Sequence, residues 1–482
     1  MTPSHDRLTP SLLEDASRGG DTNESGISFQ ANVILLHIPR WLAMEGFTSM
    51  VREAVFDVEA KFFIPGRNVV KEATEIKNHL ITPSEFWTEI DRFEQVDAGS
   101  PGSYQWFTLV STGLSNSLLP LRNGLRRIRE PYGFYFDDST IWGNSFRDYL
   151  QTVERLGRTQ QDAEFLYRKV LLQADMSPNQ AYGKAMFKQA LNDYLPYHQN
   201  MPDRVLEDIY AHLGAFVQGR RNQTIARREL EEKLRDRVPP SLRPSPAPVR
   251  LHTTLSDSEA APTAILFKWA SFFGGEARDY PMPEIWNQRL LNDLRETRDW
   301  ILEHREIRRV YLSGNRRLSA SLAIGFIFSA VAGFSIDMAY RGEVWPTDAH
   351  ASSETPSYSL STTGSSEDRT GDRLIVTVGI LRDIVADVES DLPRHGLVEM
   401  PTLHIHGDQA IQSPQQLNLV VREIKGLISR ALARTGAGQI ALFIAGPAPL
   451  ALFLGHRLNA TAAVQCYEQS GSGGYVPTCQ LI

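Results

Sequence analysis

The spacing of apolar residues changes character twice along the chain. From Met50 an alternating pattern runs through Val55-Phe56-Asp57-Val58-Glu59-Ala60-Lys61-Phe62-Phe63, pauses at Pro65-Gly66, and resumes at Glu72-Ala73-Thr74-Glu75-Ile76-Lys77. Period-two alternation predicts two neighbouring strands joined by a turn. A helix-forming stretch over 29–41 precedes them, and an amphipathic one over 85–93 follows. Between residues 144 and 237 the spacing lengthens to three and four, as in Leu150, Val153, Leu156 and Leu206, Ile209, Leu213, which predicts a helical bundle. Beyond it, short runs rich in Val, Ile and Phe at 265–270, 309–313, 334–340, 374–380, 402–406, 440–445 and 464–468 alternate with helical segments. That alternation predicts an α/β domain with a mostly parallel sheet.

Two breaks organise these patterns. Five prolines between Pro239 and Pro248 predict a semi-rigid linker, taken as 238–260. A Ser-, Thr-, Asp- and Gly-rich stretch over 352–372 predicts a disordered break that splits the C-terminal half into pieces of similar plan, about 261–351 and 373–482. In each piece a hydrophobic strand ends in a small-residue turn and enters a helix: Val310-Tyr311-Leu312-Ser313-Gly314-Asn315-Arg316-Arg317 in one, Phe443-Ile444-Ala445-Gly446-Pro447-Ala448-Pro449 in the other. This predicts a duplicated Rossmann-like unit. The charge-free run over 318–336 approaches membrane-spanning length, but its serines, its glycines and the Asp337 that follows predict a buried helix and strand instead.

Composition narrows the class. The 482 residues include 50 Lys+Arg and 57 Asp+Glu, a net charge of −7, with 22% charged and 42% apolar, which excludes disordered, collagenous and coiled-coil chains. Two cysteines, Cys466 and Cys479, supply neither a disulfide framework nor a zinc cluster, so a reduced, cytoplasmic setting is expected. Residues 1–25 form a polar tail without the apolar core of a secretory signal, so no export is expected. Charge is uneven: residues 1–120 carry 9 basic and 16 acidic side chains, 121–250 carry 21 and 16, and 251–482 carry 20 and 25. The balance argues against a purely electrostatic nucleic-acid coat.

Candidate chemistry lies in the first strands. An acid, a hairpin-sized gap and then acid-x-Lys is the arrangement of metal-dependent phosphodiesterases, and period-two geometry puts Glu75 and Lys77 on one strand face with Asp57 expected on the neighbouring strand. Hydrolysing a phosphodiester requires neutralising a crowded anion and activating water. Asp57 and Glu75 are therefore expected to hold Mg²⁺ (or Mn²⁺) with the Ile76 carbonyl, while Lys77 orients or deprotonates the attacking water. Acid-x-Lys triplets also arise by chance on solvated strand edges; the helix–strand–strand–helix series around this one favours a nuclease core. His404 and His406, alternate residues of one predicted strand, read as core or ligand-contacting side chains, since no Cys or carboxylate trio accompanies them. Neither a Gly-x-Ser-x-Gly elbow nor a P-loop lysine motif is present.

Residues 440–451, with Leu458-Asn459 and Val464-Gln465-Cys466-Tyr467-Glu468, resemble the closing half of a SAVED domain, a fusion of two CARF-like Rossmann units that senses cyclic oligonucleotides in CBASS anti-phage defence. The resemblance covers roughly 262–482. The N-terminal third, with Gly26-Ile27-Ser28-Phe29-Gln30, Asp57 and Glu75-Ile76-Lys77, is similar to the restriction-endonuclease-like (PD-(D/E)xK) domain fused to SAVED in effectors of the CD-NTase-associated protein 4 type. The resemblance implies a nuclease domain over 26–140, its helical extension over 141–237 and a SAVED sensor over 261–482. It further implies that a cyclic trinucleotide from a CD-NTase, such as cyclic tri-adenylate, drives homo-oligomerisation and double-stranded DNA cleavage without a membrane. Asp57, Glu75 and Lys77 match the metal and catalytic positions, and Gln30 a supporting position on the first helix. For the ligand it implies strand-end contacts at Lys268, Trp269, Ser313, Gly314, Asn315, Arg316, His404, His406, Gly446, Pro447 and Ala448, with Trp269 stacking a base. The basic stretch 121–250 is then expected to face DNA. A non-enzymatic nucleotide-binding scaffold with a degenerate nuclease domain and a constitutive restriction-type nuclease are the alternative readings.

Overall fold

In the computed structural model the chain is described except at residues 1–23, 131–138, 200, 256–260, 262, 367 and 460, so the expected N-terminal tail lies almost wholly outside the described residues. It forms two compact units, Met1–Ser245 and Pro246–Ile482.

In the first unit α1 (Glu24–Ala43) leads into β1 (Phe47–Arg52), β2 (Val58–Ile64) and the long β3 (Asn68–Ile81). There follow α2 (Pro83–Gly99), β4 (Tyr104–Leu114), α3 (Leu119–Arg129), α4 (Ser139–Arg155), α5 (Gln160–Lys169), β5 (Val170–Gln173), α6 (Gln180–Tyr194), α7 (Asp203–Gln218), β6 (Thr224–Ala226) and α8 (Arg227–Arg237). Thr82 caps α2 by accepting the Glu85 N–H, and Pro83 fixes its first turn. The strands make one mixed sheet in the order β5-β4-β3-β2-β1-β6, with β3, β4 and β5 parallel. Alternation on β3 divides the core. Val70 and Ile76 join the cluster of Phe29, Trp41, Leu191 and Leu213 under α1, α6 and α7, whereas Ala73 and Ile81 join Phe86, Phe93, Leu121 and Leu166 under α2, α3 and α5. Glu75 and Lys77 share the parity of the second set, which places them toward α2.

The structure corrects two expectations here. Asp57 is not within a strand: it closes the bend 53–57 between β1 and β2, tied by Glu53 N–H to Asp57 O at 2.9 Å. The segment 141–237 is not helical throughout: besides its helices it contributes β5 and β6, which form both edges of the sheet. Strands of four and three residues are too short to register as alternation among helices.

In the second unit β7 (Val249–Thr254), β8 (Ile265–Lys268), a helix running from α9 (Pro283–Ile285) through a π-turn (Trp286–Leu291) into α10 (Asn292–His304), β9 (Arg309–Gly314), α11 (Leu318–Ile327), β10 (Ser335–Tyr340) and β11 (Glu343–Pro346) form the first half. The second comprises β12 (Ser361–Thr363), β13 (Arg373–Ile380), α12 (Val385–Asp391), β14 (Thr402–Gly407), α13 (Pro414–Thr435), β15 (Gln439–Ala445), α14 (Ala448–Arg457), β16 (Ala463–Gln469) and β17 (Tyr475–Leu481). The sheets run β8-β7-β9-β10-β11 and β14-β13-β15-β16-β17, each with a parallel core and an antiparallel last strand, while β12 adds an edge to the second. The expected duplication is therefore present strand for strand.

The halves meet through α11 and α14, and the meeting is itself two-fold. A Cβ on Gly325 would lie 2.0 Å from Leu452 O, and one on Gly455 would lie 2.0 Å from Leu322 O. Only glycine permits this approach from either side. Among the described residues no helix is long and apolar enough to cross a membrane, and 318–336 becomes buried α11 and the start of β10. The expected linker 238–260 ends earlier, since Val249–Thr254 is the strand β7, with Val249, Leu251 and Thr253 buried. The expected disordered break contributes β12, paired with β14 through Ser361, Thr362 and Thr363.

Candidate functional site

Glu75 and Lys77 come together on the α2 side of the first sheet, and the bend that carries Asp57 is bonded at the neighbouring residue Ile76, close enough for the Glu75 and Lys77 charges to act on it. Gln30 of α1 donates its side-chain amide to Asp57 Oδ1, and the Ile76 N–H donates to Asp57 Oδ2 at 2.6 Å. Lys77 Nζ lies 3.0 Å from Glu75 Oε1, as the shared strand face requires. Two further residues, absent from the sequence-based set, come from α2: Glu89 reaches Lys77 Nζ at 2.7 Å, and Arg92 lies 3.4 Å from Glu75 and 3.5 Å from Glu89. Arg92 also donates to Val55 O in the bend and lies over the Phe56 ring. The signal for Glu89 was a carboxylate on the apolar side of a helix, between Phe86 and Phe93.

Three carboxylates thus face two cations in a buried place. Burial raises the Asp57 carboxyl well above the ordinary carboxylate range, with Glu75 adding to the effect, and burial also raises Glu75. Burial works against the Lys77 ammonium, but Glu75 and Glu89 outweigh it and its pKa is raised. Asp57 has no ion pair with Lys or Arg among the described residues; an amide and a backbone N–H are its partners. Desolvated carboxylates with one negative charge in excess fit a hard divalent cation. No three His, Cys, Asp or Glu side chains form a self-sufficient metal cage among the described residues.

The second region lies at the carboxyl ends of β7 and β9, where the strand order of the first half-sheet reverses. Such switch points are where open α/β sheets hold ligands. Gly314 has φ +83°, and a Cβ there would lie 1.9 Å from Thr253 O, so only glycine closes this turn. Asn315 N–H donates to Thr253 O at 2.9 Å, and Ser313 Oγ pairs with His252 Nδ1 at 2.9 Å. Arg316 donates to Thr253 Oγ1 at 3.0 Å and Ser313 O at 3.1 Å. No carboxylate pairs with Arg316 among the described residues, its Nε is buried without a partner, and burial lowers its pKa to about 10. Glu468, at the end of β16, accepts the Ser319 N–H at 2.7 Å and so caps α11, with the Arg317 charge acting on it. Burial raises the Glu468 carboxyl, while bonds from Ser319 and Leu318 restrain the rise.

Other expected contacts are placed differently. Trp269 is 4% exposed and packs on Phe267 and Phe273 at 5.1 and 5.8 Å, so its ring serves the core rather than a base-stacking surface. Lys268 is exposed at the end of β8. His404 bonds Thr377 Oγ1 at 2.9 Å and burial lowers its pKa; His406 pairs with Asp408 at 2.6 Å. Gly446, Pro447 and Ala448 turn β15 into α14, with a Cβ on Gly446 2.9 Å from Leu450. The basic excess of 121–250 is largely engaged internally: Arg158 pairs with Asp91, Lys169 with Asp97, Arg227 with Glu231 and Arg228 with Glu232. Arg127, Arg155, Arg168, Arg204 and Arg235 are exposed, and Arg126 and Arg228 are exposed beside their helical partners Glu130 and Glu232.

Residues 291–481 match the SAVED family, described as the SMODS-associated and fused to various effectors sensor domain. The named homologues are CD-NTase-associated protein 4. The chain is 26% identical to that protein of Acinetobacter sp. (strain ATCC 27244 / 9458) over 480 residues, covering 98% of this chain and 100% of the relative. It is also 26% identical to that of Moraxella osloensis over 479 residues, with 98% and 100% covered. The fold matches the Acinetobacter baumannii Cap4 SAVED/CARF-domain containing receptor, solved with the cyclic trinucleotide 2′3′3′-cAAA, at TM-score 0.81 and 24% identity, covering 96% of this chain and 100% of that one.

Proposed function

We propose that this homologue of CD-NTase-associated protein 4 is a CBASS effector in which binding of a cyclic trinucleotide to the SAVED domain assembles the chain and activates a metal-dependent double-stranded DNA endonuclease in the first unit. The observation that carries the nuclease reading is the convergence of Asp57, Glu75 and Lys77 in a cluster one positive charge short of neutrality. Mg²⁺ or Mn²⁺ held by Asp57 and Glu75, with the Ile76 carbonyl, would neutralise phosphate charge and activate water. Gln30 and the Ile76 N–H fix the Asp57 carboxylate, and Arg92 steadies Glu75. Lys77, kept protonated between two acids, orients the attacking oxygen and offsets phosphate charge rather than serving as the base.

For the sensor, Arg316 without a counter-ion at the β7/β9 switch point favours an anionic ligand, and the ligand of the Acinetobacter baumannii relative supports a cyclic trinucleotide. A ligand that binds only the assembled state drives assembly by mass action, and clustering nuclease units makes DNA engagement multivalent. Synthetic cyclic di- and trinucleotides, assayed for binding and for plasmid cleavage with Mg²⁺, test this. One cyclic trinucleotide is expected to bind and to trigger cutting. Binding without cutting indicates a non-enzymatic scaffold, and cutting without any messenger a constitutive nuclease.

A further inference from the structure

The bend that carries Asp57 is anchored from a third direction, by an ion cluster in which Arg52 and Glu53 are buried and Arg221 is exposed. Glu53, its first residue, has φ +51°, a left-handed conformation that a glutamate rarely adopts. Arg52 Nη2 lies 2.8 Å from Glu53 Oε1, with the two side chains 3% and 7% exposed, and Arg221 Nε pairs with the other carboxylate oxygen. Arg52 also donates to Val217 O at 3.3 Å and Gln218 O at 3.4 Å, the last carbonyls of α7. The turn after α7 is registered on the same place: Asn222, itself at φ +56°, donates its N–H to Arg52 O at 3.1 Å.

Two guanidiniums therefore hold one carboxylate whose backbone is otherwise unfavourable, and the Glu53 N–H then closes the bend on Asp57 O. Releasing the carboxylate removes what keeps Glu53 left-handed and frees the position of Asp57. Strained conformations persist only where the surroundings over-determine them. We propose that Glu53 is a positioning residue for Asp57, and that through Arg52 and Arg221 the turn between α7 and β6 sets how well the first unit holds a divalent cation. The proposal rests on the reading of Asp57 as a metal ligand. It adds a control point on the stretch of chain that, through α8, leads toward the second unit.

Mn²⁺ titrations of the full chain, followed by the electron paramagnetic resonance signal of the free ion, test it without reference to cleavage. Arg221→Met and Glu53→Gln are each expected to weaken Mn²⁺ binding about tenfold, the lower end of what outer-shell partners contribute. Arg221→Lys, which keeps the charge, should recover most of the affinity, and Arg221 is exposed enough for these variants to fold. Wild-type affinity in both Arg221→Met and Glu53→Gln, or a lysine variant as weak as the methionine one, overturns the proposal while Asp57→Ala still loses the ion. If wild type and Asp57→Ala titrate alike, the metal-site reading itself fails and the proposal with it.

Discussion

The face of β3 toward α2 and the ends of β7 and β9 are opposite in what they lack. Around Asp57, Glu75 and Glu89 two cations answer three carboxylates, and Asp57 has only an amide and a backbone N–H. Around half-buried Arg316, whose Nε is shielded from solvent, the guanidinium answers hydroxyl and carbonyl oxygens, with no carboxylate among the described residues. A buried charge without its counter-charge is costly unless something else supplies it. These opposite deficits are the basis of the proposed function, in which a cation completes the first region and an anion the second.

The comparison breaks most severely at Lys77. Lys77→Ala is expected to lower DNA cleavage about 10²–10⁴-fold, as loss of a positioned charged group does, while binding of a cyclic trinucleotide, read by calorimetry, stays at the wild-type value. Next comes Arg316→Met, expected to weaken trinucleotide binding about 10–100-fold, the effect of a lost charge-assisted hydrogen bond. Because that arginine has no acidic partner among the described residues, the ligand-free variant should melt no lower than wild type. A lower melting temperature would mean that Arg316 is a structural residue.

How much of this was legible in the sequence differed between the regions for a physical reason. Glu75 and Lys77 are two residues apart on one strand, so period-two geometry alone placed them together, and Asp57 needed only one turn more. Glu89 and Arg92 come from a helix that folds back over the strand; Glu89 stands on its apolar side, but which strand that side meets is not set by local spacing. At the strand ends, local spacing could not show that Arg316 turns onto Thr253 while its neighbour Arg317 reaches Gly275, nor that Trp269 faces the core. The Rossmann-like duplication was readable because parallel strands buried on both faces leave continuous apolar runs. β7 was hidden by the prolines directly before it, and β12 by a composition that resembles disorder. Part of the charge of the basic middle stretch is answered by acids far away in sequence, as Arg158 is by Asp91, which a count along the chain does not show.

Two smaller effects sharpen the second region. Gly314→Ala forces a side chain into a positive φ against Thr253 O. It should cost about 2 kcal/mol, roughly a 4–8 °C lower melting transition for the second unit. Glu468→Gln tests the cap on α11. The folded carboxyl is raised above its unfolded value, so the wild-type contribution is greatest below the unfolded pKa and is lost as pH rises through the folded one. The amide keeps an acceptor for Ser319 and does not titrate. The variant should therefore match or exceed wild-type stability at pH 8 and lose that advantage toward pH 4; parallel melting curves for both proteins across this range would contradict the burial argument.

Cleavage of supercoiled plasmid by the purified full-length chain in Mg²⁺, with and without cyclic tri-adenylate and its cyclic trinucleotide relatives, tests the central claim most directly. The account predicts intact plasmid without messenger, rapid conversion to linear and shorter DNA with one cyclic trinucleotide, and no conversion with Lys77→Ala. Cutting that is independent of every cyclic trinucleotide, or that survives in Lys77→Ala, would contradict it.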